Sequence, residues 1–116
     1  TTDIGWAKEN FNNNFKTKKI KCQTFNRLLE QTKHKNQKIN FLNIDVEGAE
    51  MKVLENLDFN TYDPEVLCVE ILGYRHLNSL EKESAIKLDE IYKFLKNKKY
   101  KKVWSGASYC SHIFVK

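Results

Sequence analysis

The residues of this chain best suited to chemistry are acidic. Asp45, Glu47 and Glu50 crowd into the segment FLNIDVEGAE (Phe41 to Glu50), and Glu70 interrupts the apolar run VLCVEIL (Val66 to Leu72). Asp45, Glu47 and Gly48 fall where an apolar run gives way to a helical pattern, a turn with free backbone N–H groups and a glycine that permits close approach. A carboxylate there can accept a proton from a substrate hydroxyl, hold a metal, or orient the amine or hydroxyls of a cofactor. Capping of a helix start accounts for Asp45 and Glu47 at least as well, because the helix dipole attracts acids to its N-terminus. Glu50, one turn into the helix, reads as a surface charge. Glu70 is harder to set aside: a buried carboxylate is costly, so it needs a partner or a strand end open to water.

Other reactive residues carry less. His76 follows the second apolar run in the loop GYRHLN, and His112 alternates with Ile113 and Phe114 as a packed or edge-strand residue. Cys22, Cys68 and Cys110 are odd in number and show no CxxC spacing, so they read as buried, reduced thiols in a cytoplasmic protein, and no metal site is expected. No HExxH, GxxxxGK[ST] or nucleophile-elbow pattern occurs, which removes the usual signals of a metalloprotease, an NTPase or a serine hydrolase.

The elements that must position the acids follow from apolar periodicity. Trp6, Phe11 and Phe15 are spaced as in a loose surface helix. IKCQTF (Ile20 to Phe25) alternates as a short strand, and Thr24 can cap a helix running to about Gln31. Ile39 to Val46 is nearly continuously apolar, as in a strand covered on both faces, and Gly48 to Leu57 has helical spacing. Asp63 and Pro64 mark a loop before the strand Val66 to Leu72, so these segments form a βαβ unit with parallel strands. One long helix is expected from Asn78 or Ser79 to Asn97, burying Leu88, Ile91, Tyr92 and Leu95. Tyr100 to Ser105 and Tyr109 to Val115 lie too close together for a crossover, which predicts an antiparallel hairpin. In an open α/β sheet, ligands sit outside the carboxyl ends of the strands, where Asp45 and Glu70 fall.

At 116 residues the chain is one folding unit, and its apolar fraction of 41% suits a buried core. No apolar run approaches bilayer length, so no membrane association is expected. The net charge of +5 is almost all lysine, with Arg27 and Arg75 the only arginines. Base and phosphate recognition favours the guanidinium fork, so no nucleic-acid partner is expected either.

The stretch INFLNIDVEGAEMKVLENLDF, followed by PEVLCVEI, resembles the FkbM-type methyltransferases, in which an apolar strand leads into Asp-Val-Glu-Gly-Ala-Glu, a helix and a later strand ending in Glu. The upstream CQTFNRLLE resembles the elements before that motif. The resemblance implies an α/β, Rossmann-like class I methyltransferase sheet, mostly parallel, with a C-terminal antiparallel hairpin. It implies methyl transfer from S-adenosylmethionine, typically to a hydroxyl of a sugar or other small metabolite. Asp45, Glu47 and Glu70 then stand at the methyl-transfer site, with Asp45 and Gly48 beside the cofactor. The family's first two strands and glycine-rich cofactor loop have no counterpart, so residues 1–116 correspond to the C-terminal portion of one methyltransferase domain, inactive alone. Two other readings compete. Asp45-Val46-Glu47 minimally satisfies the metal-binding Asp-x-Glu of a nucleotide-sugar glycosyltransferase, and a partial domain can serve as a non-catalytic interaction module.

Overall fold

The computed structural model describes residues 4–12, 14–72, 74 and 77–116. His76 lies outside these residues. The chain is mixed α/β, with α1 (Ile4–Phe11), α2 (Phe25–Glu30), β1 (Phe41–Ile44), α3 (Glu50–Glu55), β2 (Val66–Glu70), α4 (Ser79–Ile86), α5 (Glu90–Asn97), β3 (Lys101–Ser105) and β4 (Ser111–Val115). The strands form one sheet in the order β1-β2-β4-β3. β1 and β2 are parallel, joined by the crossover through α3. β4 returns as the second arm of the hairpin and pairs antiparallel with both β2 and β3.

The core lies on one face of this sheet. Ile44, Leu67, Val69 and Phe114 point from the strands towards Leu54 and Leu57 of the α3 region, Ile86 of α4, and Ile91 and Leu95 of α5. The opposite face carries Phe41, Val66, Cys68, Ile113, Val115 and Trp104 in register, with Phe41 and Trp104 more than half exposed. The shortest dimension of the molecule, 19 Å, accommodates a sheet and one helical layer, since packed layers lie ~10 Å apart. Among the described residues no helix is long and apolar enough to cross a membrane.

Several elements match expectation. Thr24 caps α2 through the Arg27 N–H, the βαβ unit forms, and the terminal hairpin is antiparallel. Others need correction. Residues 20–24 form no strand: all five are exposed, so the alternation buries no face that would hold the segment against the sheet. β1 is covered on one face only, with Ile44 buried and Phe41 on the open side. The long helix splits, because Asp89 turns its carboxylate onto the Ile91 N–H at 2.8 Å and caps a new helix there. Leu88 consequently faces solvent and Ile86 takes the buried place. Asn78 and Glu81 close a reciprocal capping box at the start of α4. Of the thiols expected to be buried, Cys110 is, Cys68 is half-buried and Cys22 is exposed. His112 stands on β4, inside the sheet and not at its edge.

Candidate active site

Parallel pairing sets the site. Ile44 on β1 lies opposite Val69 on β2, so the next residues, Asp45 and Glu70, leave neighbouring strands side by side at their carboxyl ends. One carboxylate oxygen from each of Asp45, Glu70 and Glu50 lies within 4.8 Å of the others. Asp45 is exposed, Glu70 half-buried and Glu50 buried. Glu47 is exposed and is not one of this trio. Sequence reasoning therefore placed Asp45 and Glu70 together correctly and misassigned Glu50, which is 5% exposed and not a surface charge.

Glu50 is buried because the turn before α3 needs it. The helix begins at Ala49, whose side chain supplies no cap. Glu50 folds back instead: Oε1 accepts from the Val46 N–H at 2.9 Å and the Gly48 N–H at 3.2 Å, and Oε2 accepts from the Gly48 N–H at 3.0 Å. Charge-assisted bonds of this kind are stronger than neutral ones and offset the cost of burying a carboxylate. The legible signal was Gly48 just after a strand end: a tight turn leaves its own amides without ladder partners, and an acid close by can accept from them.

The turn itself is unusual. Glu47 has φ +56° and Gly48 φ +96°, so two consecutive residues occupy the left-handed region. Gly48 is needed for that backbone conformation. A Cβ placed on it would meet no atom within 4 Å, so the surface beside it is open to a ligand.

The electrostatics of this edge are negative. Cys68, on the open face of β2, has its thiol pushed above the ordinary value, first by burial and then by the negative charge of Asp45. Such an edge suits a cationic ligand group or a hydroxyl that must lose a proton. Three carboxylates so arranged also form a donor set for a hard divalent cation. Glu50 brings the least to that use, since both its oxygens already accept backbone N–H bonds.

Next to the acids, the β3–β4 hairpin ends on a part-buried polar chain. Glu83 of α4 pairs with the Lys102 ammonium at 2.9 Å, Lys102 reaches Ser105 Oγ at 3.0 Å, and Ser105 Oγ meets His112 Nδ1 at 2.9 Å. His112 is completely buried. Burial, then the charge of Lys102, lowers its pKa to about 4, so the ring is neutral at physiological pH. It serves as a packed, hydrogen-bonded residue.

Neither a curated protein nor a solved structure matches the chain. A family model does, over residues 2–102, and it is described as the methyltransferase FkbM domain. That span takes in the Asp45–Gly48 turn, β2 with Glu70, and both helices that follow. With the acid-bearing ends of β1 and β2 inside the matched region, the chain belongs to the FkbM methyltransferase family.

Proposed function

We propose that this chain forms the acceptor side of a methyl-transfer site, at which a hydroxyl of a sugar or other small metabolite receives a methyl group from S-adenosylmethionine. The observation that carries this reading is the juxtaposition of Asp45 and Glu70 at the carboxyl ends of adjacent parallel strands. S-adenosylmethionine, when bound, supplies an electrophilic methyl group on a positively charged sulfur. A cluster of carboxylates complements that charge, and the open surface beside Gly48 leaves room for close approach. Asp45 holds the acceptor hydroxyl by its hydrogen and takes the proton at a carboxylate oxygen. Glu70 flanks it and keeps the local potential negative. Glu47, exposed at the crest of the turn, is the second group able to orient the acceptor.

The sheet supports the same reading. Its order and directions, a parallel β1-β2 pair followed by an antiparallel β4 inserted before β3, agree with the C-terminal half of a Rossmann-like class I methyltransferase sheet. The open edge of β1 and the uncovered sheet face are where the rest of such a domain would pack, and that remainder would grip the methionine and ribose of the cofactor. Residues 1–116 alone are then inactive. The free thiols of Cys22, Cys68 and Cys110 suit a cytoplasmic setting.

The test is Asp45→Asn in the natural full-length protein, assayed for methyl transfer from S-adenosylmethionine to a panel of hydroxylated acceptors. Loss of turnover by a factor of roughly 10²–10⁴ is expected if Asp45 is the base. Intact turnover would remove Asp45 from the reaction. The glycosyltransferase reading is less well served, because Asp45 groups with Glu50 and Glu70 and not with Glu47. Manganese-dependent binding of a nucleotide diphosphate would revive it. An interaction module draws on one observation, the exposed Phe41 and Trp104 on the open face. A non-catalytic protein that stays monodisperse only with a partner would favour it.

A further inference from the structure

Two adjacent residues in the left-handed region, one of them a glutamate, make a turn that the chain would not adopt unaided. Something must over-determine it, and the Glu50 carboxylate is placed to do so. Its two oxygens engage the amides of Val46 and Gly48, which bracket Glu47. The Val46 N–H belongs to the peptide unit that begins at the Asp45 carbonyl. Holding that N–H fixes the plane of the Asp45–Val46 peptide, and with it the direction in which the Asp45 side chain leaves the strand end. The Gly48 N–H fixes the far side of the same turn.

We infer that Glu50 is a positioning residue for the methyl-transfer reaction, acting through Asp45. The inference rests on the methyl-transfer reading above. Glu50 itself needs no contact with substrate: it is 5% exposed, and its hydrogen-bonding capacity faces the turn. Its negative charge lies close to those of Asp45 and Glu70, so it also shapes the field in which Asp45 meets an acceptor. A glutamate that only tied down a helix start would influence stability and leave the reaction chemistry of Asp45 untouched. A glutamate that aims Asp45 makes the effects of the two residues interdependent.

The experiment is a double-mutant cycle in the natural full-length protein, with Glu50→Ala, Glu50→Gln, Asp45→Asn and the pairwise combinations, each matched to wild type by near-ultraviolet circular dichroism. Glu50→Ala is expected to lower kcat/KM roughly tenfold or more, towards the hundredfold that misplacing a reacting group by about an ångström can cost. Glu50→Gln, which keeps one acceptor oxygen, should recover part of the loss. On the Asp45→Asn background, Glu50→Ala should cost less than about twofold, because the group it aims is already disabled. NMR amide exchange without cofactor reads the brace directly, and the Val46 and Gly48 amide protons should lose protection in Glu50→Ala. Losses that multiply independently across the cycle would overturn the positioning role. Unchanged protection at Val46 and Gly48 would overturn the brace itself. A wild type that transfers no methyl group would overturn the methyl-transfer reading and the role in reaction with it, while amide exchange would still decide whether Glu50 holds the turn.

Discussion

Lowering the pH from about 7 to about 5 should destabilise this protein through His112. The ring is fully buried, its Nδ1 meets Ser105 Oγ, and among the described residues its Nε2 finds no hydrogen-bond partner. Burial is the main cause of a pKa lowered from 6.5 to about 4, and the Lys102 ammonium on β3 adds to it. The Tyr109 backbone, Glu83 on α4 and Asp89 at the start of α5 pull the other way and do not prevail. Because the folded pKa is depressed, the unfolded chain takes up the proton first. The stability due to neutral His112 is complete above about pH 6.5, declines as pH falls from there towards 4, and is gone below. Across the whole window this amounts to about 3 kcal/mol, of which about 2 kcal/mol is lost by pH 5. For a chain of this size that corresponds to a fall in Tm of roughly 8–10 °C. Urea unfolding at several pH values between 7 and 5 measures it, with His112→Gln as the control that cannot titrate but can still bond Ser105. Carboxylates titrate alike in both proteins, so the difference between their pH profiles isolates the histidine. Parallel profiles would show that the buried ring takes up a proton as easily as the unfolded one, and the reasoning would fail.

Further outcomes follow from single residues. Gly48→Ala should destabilise by about 1–2 kcal/mol in denaturant melts, since the new Cβ has open space around it and the whole cost is the left-handed backbone. Asp89→Ala removes both the α5 cap and the acceptor of the Tyr74 hydroxyl, 2.9 Å away, and should cost about 1–2 kcal/mol. In that variant an ultraviolet titration of phenolate should find Tyr74 partly restored towards its ordinary value, because Asp89 is the second cause of its raised pKa after burial. Thiol labelling should modify exposed Cys22 first, and Asp45→Asn should speed labelling of Cys68 by lifting the charge that helps hold its thiol protonated.

Local pattern made much of the fold legible. The apolar runs of β1 and β2 and the helical spacing between them required a βαβ unit, and Thr24 and Asn78 declared their helix starts by residue type alone. What failed was decided by tertiary context. IKCQTF has the alternation of a strand, but a strand needs a face to bury, and residues 20–24 are exposed throughout. The stripe Leu88, Ile91, Tyr92, Leu95 fits one continuous helix, yet Asp89 competes for the backbone with a bond only two residues long. Such a side chain to backbone bond ends one helix and begins another without disturbing the apolar count.

The candidate site divides along the same line. Asp45 and Glu70 were legible because the one ends an apolar run and the other interrupts one, and parallel pairing then brings strand ends together whatever the intervening sequence. Glu50 was not, because an acid in the first turn of a helix is ordinarily explained by the dipole and left in solvent. Its burial depends on the turn before the helix, whose Val46 and Gly48 amides it accepts from. An aspartate or serine in place of Ala49 would accept from amides inside the helix and would still leave those two to Glu50. The carboxylate folds back to reach them, and the turn it closes is the one that presents Asp45. The motif Asp-Val-Glu-Gly-Ala-Glu thus reads as one device: the turn leaves the Val46 and Gly48 amides open, Glu50 takes them, Gly48 permits the resulting backbone, and Asp45 is held at the strand end beside Glu70.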